Sequence, residues 1–296
     1  MKKVHNAEKS MQPVLWAKIL IYIAVIFCAL ICLLPLVNIL AISLSSKETA
    51  DLTFLWPKVW SLQSYEVILG RPQLYQSLWM SVKRVVLAIV ISTVVTVLMA
   101  YPLSKPSKVY PTRKYYVGLV VFCMIFNGGL VPGIILVKVW LGLTNTVWAL
   151  VLPMAVPIYN VILVMNFFRG LPKEVEEAAQ VDGAGSFRLL FQVVVPMSTP
   201  VIATTIMFVF VNHWNEWFNG LIFIDKTELY PFQTYLQTVI TVPDIKSMID
   251  IQNYALVSDK TIKNAQVIVG FLPMAIAFPF VQKYFAQGIT LGAVKG

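Results

Sequence analysis

The chain has 296 residues, of which 58% are hydrophobic and only 12% charged, and its formal net charge is +9. Soluble globular chains carry about 25% charged residues, so this one lacks the polar surface of a water-soluble particle of its size. In a soluble chain the positive balance would suggest a nucleic-acid partner; with no aromatic–basic RNA signature and no zinc-finger spacing, it reads here as loops that face a negative membrane surface and fix topology.

The apolar residues come in long blocks, and a membrane helix needs about 20 of them. Six stretches qualify, at about 15–43, 78–102, 115–137, 146–168, 197–223 and 264–285. The fold class is therefore an all-α integral membrane protein with one six-helix domain over 15–285, between a tail at 1–14 and a tail at 286–296. The tail Met1–Ser10 is basic and polar. The run from Val14 to Val37 is too long for a signal-peptide core and no small-residue cleavage pattern closes it, so it reads as a retained first span. Cys28 and Cys32 lie one helical turn apart, and Cys123 stands alone. With no histidine beside them they read as inert lipid- or core-facing thiols, with no disulfide or metal.

Next comes a segment rich in Trp and Pro, Ser45 to Ser77, and then the second span. Near its outer end Lys83 and Arg84 either snorkel to headgroups or face a cavity. The third span closes on Asn127–Gly128–Gly129 and Val131–Pro132–Gly133, which predicts an irregular or re-entrant end. Pro153 and Pro157 in the fourth span, and Pro273 and Pro279 in the sixth, read as kinks. Asn160 and Asn166 either hydrogen-bond between helices or line a path. The fifth span carries Asn212–His213–Trp214–Asn215–Glu216–Trp217 in its outer half. Aromatic faces beside amides and a carboxylate suit a sugar path, with Asn212, Trp214, Asn215, Glu216, Trp217 and Asn160 as its candidates. The alternative is an interfacial Trp belt with Glu216 at the water edge. His213 alone makes no metal site. Within Asp225–Lys263, Phe232, Leu236 and Val239 at helical spacing predict an amphipathic surface helix, either a cover for helix ends or a docking surface.

Orientation follows from lysine and arginine. The short loop 103–114 holds four basic residues and no acid, which places it in the cytoplasm. With six spans both termini then lie in the cytoplasm, the membrane being the cell's plasma membrane.

One charged segment interrupts the apolar chain. Pro172 suits the first turn of a helix, and Glu174, Glu176 and Glu177 suit its positive end. Gly183 ends that helix, Ser186 caps a second piece, and the chain returns to the membrane at Pro196. The product is an exposed cytoplasmic knob with small residues on it. The segment Glu177–Ala178–Ala179, three residues, Gly183, nine residues and Val193–Val194–Val195–Pro196 resembles the EAA loop of ABC-importer permeases, Glu-Ala-Ala-x3-Gly-x9-Ile-x-Leu-Pro, with valine at the two aliphatic positions. The stretches Asn127-Gly-Gly-Leu-Val-Pro, Leu141-Gly-Leu-Thr-Asn-Thr, Leu171-Pro, His213-Trp-Asn-Glu-Trp, Tyr230-Pro-Phe-Gln and Gly288-Ile-Thr-Leu-Gly-Ala-Val-Lys-Gly resemble the carbohydrate-uptake class. The last looks most like the complex-oligosaccharide branch.

The resemblance implies a type I, MetI-like permease of six helices that takes up a carbohydrate, an oligosaccharide, by alternating access. It implies four partners: a cytoplasmic ABC ATPase dimer, an extracellular solute-binding protein, a second permease chain expected to be a different one, and the sugar. It puts Glu176, Glu177, Ala178, Ala179, Asp182, Gly183, Arg188 and Pro196 in the ATPase-coupling loop, 169–196, with Glu177 as its main contact. Asp182 either pairs with the ATPase or caps the helix. No Gly-x4-Gly-Lys-Ser/Thr occurs, so the ATPase is a separate chain, no cofactor is expected, and this chain is not an enzyme. A secondary transporter would want several buried acids, of which only Glu216 qualifies. An intramembrane enzyme would want a Ser/His, paired-Asp or metal set, and the chain has two histidines, one of them in the tail.

Overall fold

A computed structural model describes residues 15–126, 128–241 and 258–293. The tail 1–14, Asn127 of the glycine stretch, residues 242–257 of the segment Asp225–Lys263 and the last residues 294–296 lie outside them. Among the described residues the secondary structure is helical apart from one isolated bridge, Ser45 to Trp60. The chain divides into two compact units, Met1–Gly70 with Ile245–Val269, and Arg71–Asp244 with Gly270–Gly296.

The first unit holds α1, Leu15–Ser43, and α2, Gln63–Leu69. α1 matches the expected first span. It is apolar around its whole circumference and none of its best 18-residue window is buried, as lipid or a partner helix would require. The segment after it is pinned by polar contacts. Ser45 Oγ donates to the Ala41 carbonyl at 2.7 Å, Ser43 Oγ lies 2.8 Å from the Tyr65 hydroxyl, and Lys260 pairs with Asp51 at 3.1 Å.

The second unit is built on α3, Pro72–Ser104, longer at both ends than the expected second span. Pro72 suits its first turn because the missing N–H is one of those a helix start leaves unpaired anyway. Next come α4, Arg113–Ile125, and α5, Leu130–Ile134, which runs on as a π-turn through Trp140. The irregularity expected in this span falls ahead of Leu130, where Gly129 takes φ +89°, while Val131–Pro132–Gly133 is helical. α6, Val147–Val151, passes through a 3-10 turn to α7, Ile158–Arg169, with a bend of 49°. Pro153 and Pro157 thus break the fourth span into two pieces, which is more than a kink. Proline lacks the N–H and clashes with the preceding turn, so continuing the helix would cost about 3 kcal/mol.

α8, Lys173–Val181, and α9, Ser186–Leu189, form the charged loop. α9 continues through a π-turn to Met197 and meets α10, Thr199–Asn215, at 83°. The expected fifth span is not one helix. α10 stops at Asn215, Glu216 is extended at φ −74°, ψ 116°, and α11 covers Phe218–Phe223. α12, Phe232–Thr241, is the predicted amphipathic helix. Phe232 is fully buried and Leu236 nearly so, so its apolar side covers other helices, as the first of the two readings held; the Val239 side chain lies outside the described residues. α13, Asp259–Ala293, contains Pro273 and Pro279 and extends past the expected end of the sixth span at 285.

By length and composition two helices, Trp16–Ser43 and Pro72–Ser104, can each cross a membrane, and three bent pairs raise the number to five. A core of Val97, Ala100 and Leu103 from α3 with Val164 and Phe168 from α7 and Leu189 and Leu190 from the charged loop fixes that loop to the ends of the long helices.

Candidate functional site

α8 starts after Pro172, with Glu174 and Glu176 in its first turn against the positive helix end. Its end is a Schellman motif. Gly183 N–H donates to the Gln180 carbonyl and Ala184 N–H to the Ala179 carbonyl, each at 3.0 Å. This needs the left-handed conformation at Gly183, whose φ is +78°. Ser186, expected to cap the next helix, is instead its first residue. Gly185 holds the capping position and no side-chain cap bond forms there. Asp182 is the C-cap residue of α8.

The loop residues stay together on an exposed knob. Glu177, Ala178, Asp182, Gly183, Arg188 and Pro196 are exposed, and Glu176 and Ala179 are partly covered. Arg188 Nε donates to Gln192 Oε1 at 2.9 Å, one turn on. Glu176 differs from its neighbours, because its carboxylate pairs with Lys105 Nζ at the end of α3, and Lys105 also lies 4.3 Å from the centre of the Tyr101 ring. Two apolar side chains missing from the candidate set are among the most exposed of the knob, Val181 at 88% and Phe187 at 73%. Large apolar groups held in water mark interaction surfaces. The sequence signal for Phe187 is an aromatic residue two positions after Gly185 in the α8–α9 loop, whose other apolar residues are small or aliphatic. Beside the knob a groove of about 790 Å³ runs between α3 and the loop, lined among others by Tyr101, Lys105, Tyr110, Arg169, Glu177 and Phe187.

The Asn212–Trp217 cluster, with Asn160, sorts into buried and exposed groups. Trp214 is 4% exposed and its Nε1 donates to the Gly270 carbonyl at 3.2 Å. Asn160 is buried and its amide donates to the Thr205 carbonyl at 3.3 Å, so it joins α7 to α10 as the interhelical reading had it. Both polar groups are engaged in hydrogen bonds between helices. Asn212, Asn215 and Trp217 are exposed.

Glu216 sits at the break between α10 and α11. Arg84 of α3 donates from Nη1 to the Glu216 backbone carbonyl at 2.9 Å and from Nη2 to its carboxylate. The other carboxylate oxygen accepts the Asn219 N–H at 2.6 Å, capping α11. Arg84 is fully buried, so it neither snorkels nor faces a cavity. A guanidinium buried this fully is stable only with a partner, and Glu216 supplies it. Lys83, one residue away, is exposed and lies 5.1 Å from the centre of the Trp79 ring. The sequence offers two adjacent cations in the second span, Lys83 and Arg84, and a carboxylate in the fifth, Glu216, and only the fold shows which cation pairs with it.

The neighbourhood of the break is tightly packed. Thr234 Oγ1 donates to the Trp217 carbonyl at 2.9 Å, and a Cβ on Gly220 would lie 2.0 Å from Thr234 Oγ1. Asn145, at φ +62°, accepts at Oδ1 from the N–H groups of Asp225 at 2.6 Å and Lys226 at 3.2 Å. His213 is buried, and among the described residues no group of three His, Cys, Asp or Glu side chains is placed to hold a metal ion.

Comparison with known proteins agrees over most of the chain. Residues 73–291 match the family described as binding-protein-dependent transport system inner membrane component. The polygalacturonan/rhamnogalacturonan transport system permease protein YtcP of Bacillus subtilis (strain 168) is 35% identical over 94% of this chain and 97% of its own. Protein LplC of the same organism is 36% identical over 90% of each chain. Among solved structures, a chain of a bacterial ABC transporter involved in the import of the acidic polysaccharide alginate aligns with a TM-score of 0.84 at 27% identity, over 93% of this chain and all of that one.

Proposed function

Because the chain belongs to the family of binding-protein-dependent transport system inner membrane components, we propose that it is the translocation subunit of an ATP-driven importer of a carbohydrate, an oligosaccharide. The names of its relatives, a polygalacturonan/rhamnogalacturonan permease and an alginate importer, support a sugar cargo. The observation that carries the coupling is the knob. The spacing from Glu177 through Gly183 to Pro196 coincides with a rigid, exposed two-helix unit whose turn is fixed by a glycine at positive φ.

In this reading six spans cross the membrane and both termini are cytoplasmic. The knob seats in a cleft of a separate ATPase. Glu177 meets its polar groups, Ala178 and Ala179 allow close approach, and Val181 and Phe187 supply apolar contact. Asp182 and Arg188 flank the contact, Gly183 holds the turn, and Pro196 starts the return to the membrane. Glu176 steadies the knob through Lys105. ATP-driven closure of the ATPase moves the knob and switches the path between inward and outward access. An extracellular binding protein delivers the sugar, and a second permease chain, different from this one, completes the pore. On this chain's side the path runs past Asn212, Asn215 and Trp217, where amides and an indole face meet sugar hydroxyls and rings. This chain forms and breaks no covalent bond.

Co-purification tests the reading. Expressed together with its partner ATPase and second permease, the chain should hold the ATPase through detergent extraction, and Glu177→Lys should release it or abolish sugar-stimulated hydrolysis. Unchanged transport in Glu177→Lys would sink the coupling assignment.

A further inference from the structure

Two ion pairs tie α3 to other elements of the second unit, α8 and the α10–α11 break, one at each end of its apolar length. At the inner end Lys105, the residue that caps α3, pairs with Glu176 of α8. In the outer half Arg84 pairs with Glu216 at the break between α10 and α11. About 32 Å of helix separates the two cations at about 1.5 Å per residue, close to the roughly 30 Å of a bilayer's hydrocarbon core.

α3 is also the stiff route between these places. It has no glycine, and after Pro72 its only proline is Pro102, near the inner end. The covalent route from the knob to Glu216 runs through α9, an 83° bend at Ser198, and α10. Pro196 and Pro200 leave two gaps in the hydrogen-bonded ladder around that bend, while Ser198 keeps its bonds to Val194 and Val195, so this route is less stiff than the unbroken middle of α3. Between its two ion pairs α3 is packed against the loop through Val97, Ala100, Leu103, Leu189 and Leu190.

We propose that α3 is the strut that carries displacement of the knob to the break in the fifth span, with Lys105 and Arg84 as the positioning residues at its two ends. The inference rests on the importer reading above. Lys105 makes the strut follow α8. Arg84 makes Glu216 follow the strut, and Glu216 carries α11 with it through Asn219. Asn215 and Trp217, on either side of Glu216, then change their exposure when the ATPase closes.

The test uses the whole complex in lipid nanodiscs, with Cys28, Cys32 and Cys123, all exposed, replaced by alanine. Asn215→Cys reports on the break through its labelling rate with a charged maleimide, measured with and without ATP and vanadate. ATP should change that rate in the parent. Lys105→Met and Arg84→Met should each cut the ATP-dependent change at least fivefold, and Lys105→Arg, which keeps the charge, should stay within twofold of the parent. Lys105 lies at the partly exposed end, so the Met/Arg comparison there stands even if Arg84→Met does not fold. An ATP response kept within twofold in Lys105→Met overturns the strut, and so does one lost equally in Lys105→Arg. A parent complex that holds no ATPase overturns the importer reading and the strut together. A parent that holds an active ATPase with no change at position 215 overturns the strut alone.

Discussion

Replacing Arg84 by methionine keeps the length of the side chain and removes its charge and donors. The Glu216 carboxylate, whose side chain is 16% exposed, then loses its ionic partner among the described residues, and its backbone carbonyl loses a donor at 2.9 Å. Removing one member of a buried pair costs about 3–5 kcal/mol. At about 2–4 °C per kcal/mol for a domain of this size, the apparent melting midpoint should fall by about 10 °C. Glu216 cannot escape to water without unfastening the Asn219 N–H and the start of α11. Arg84→Met with Glu216→Met removes the stranded charge, and because apolar replacement of a whole buried pair is often neutral, the double variant should recover most of the loss. It should stay about 1 kcal/mol below the parent, the usual worth of a lost helix cap. The assay is thermal unfolding of the detergent-purified protein followed by size-exclusion of the surviving fraction. A shift under 2 °C in Arg84→Met, or a double variant no better than the single one, would refute the view that a buried charge pair holds the break.

Other substitutions test other joints of the account. Gly183→Ala forces a Cβ into the left-handed region and should lower stability by about 1 kcal/mol; the loss should appear as weaker ATPase retention on a pull-down. Gly220→Val meets Thr234 at its Cβ, 2.0 Å from Oγ1, and should reduce the yield of folded protein on size-exclusion, whereas Gly128→Ala, with open space around its Cβ, should not. Phe187→Ala should weaken ATPase binding about tenfold in a titration, as loss of one well-packed aromatic anchor does, and leave the melting midpoint within 2 °C because the ring is 73% exposed in the free chain.

The membrane class and the knob were legible because both are local signals. A block of about 20 apolar residues needs no tertiary context, and neither does a Pro-start, Gly-stop helix with acids in its first turn. α1 and α8 follow their sequence boundaries closely. The breaks were harder. Pro153 and Pro157 were visible as helix weak points, but whether a proline kinks or divides a span depends on which neighbours satisfy the freed backbone groups. At Glu216 the signal was long-range. The break is held by Arg84, 132 residues away in sequence, and neither residue alone reveals it. The same limit explains Trp214 and Asn160. An indole or an amide in an apolar helix suits a sugar path or an interhelical hydrogen bond equally well until the facing helix is known, and here Gly270 and Thr205 take them.

The central claim, that this chain is the path of an ATP-driven oligosaccharide importer, is tested most directly by uptake. The chain would be reconstituted with its second permease, ATPase and binding protein into proteoliposomes and offered labelled neutral and acidic oligosaccharides. The account predicts that one class accumulates only with ATP and the binding protein present, and that Glu177→Lys abolishes it. Accumulation driven by an imposed proton or sodium gradient without ATP would contradict it.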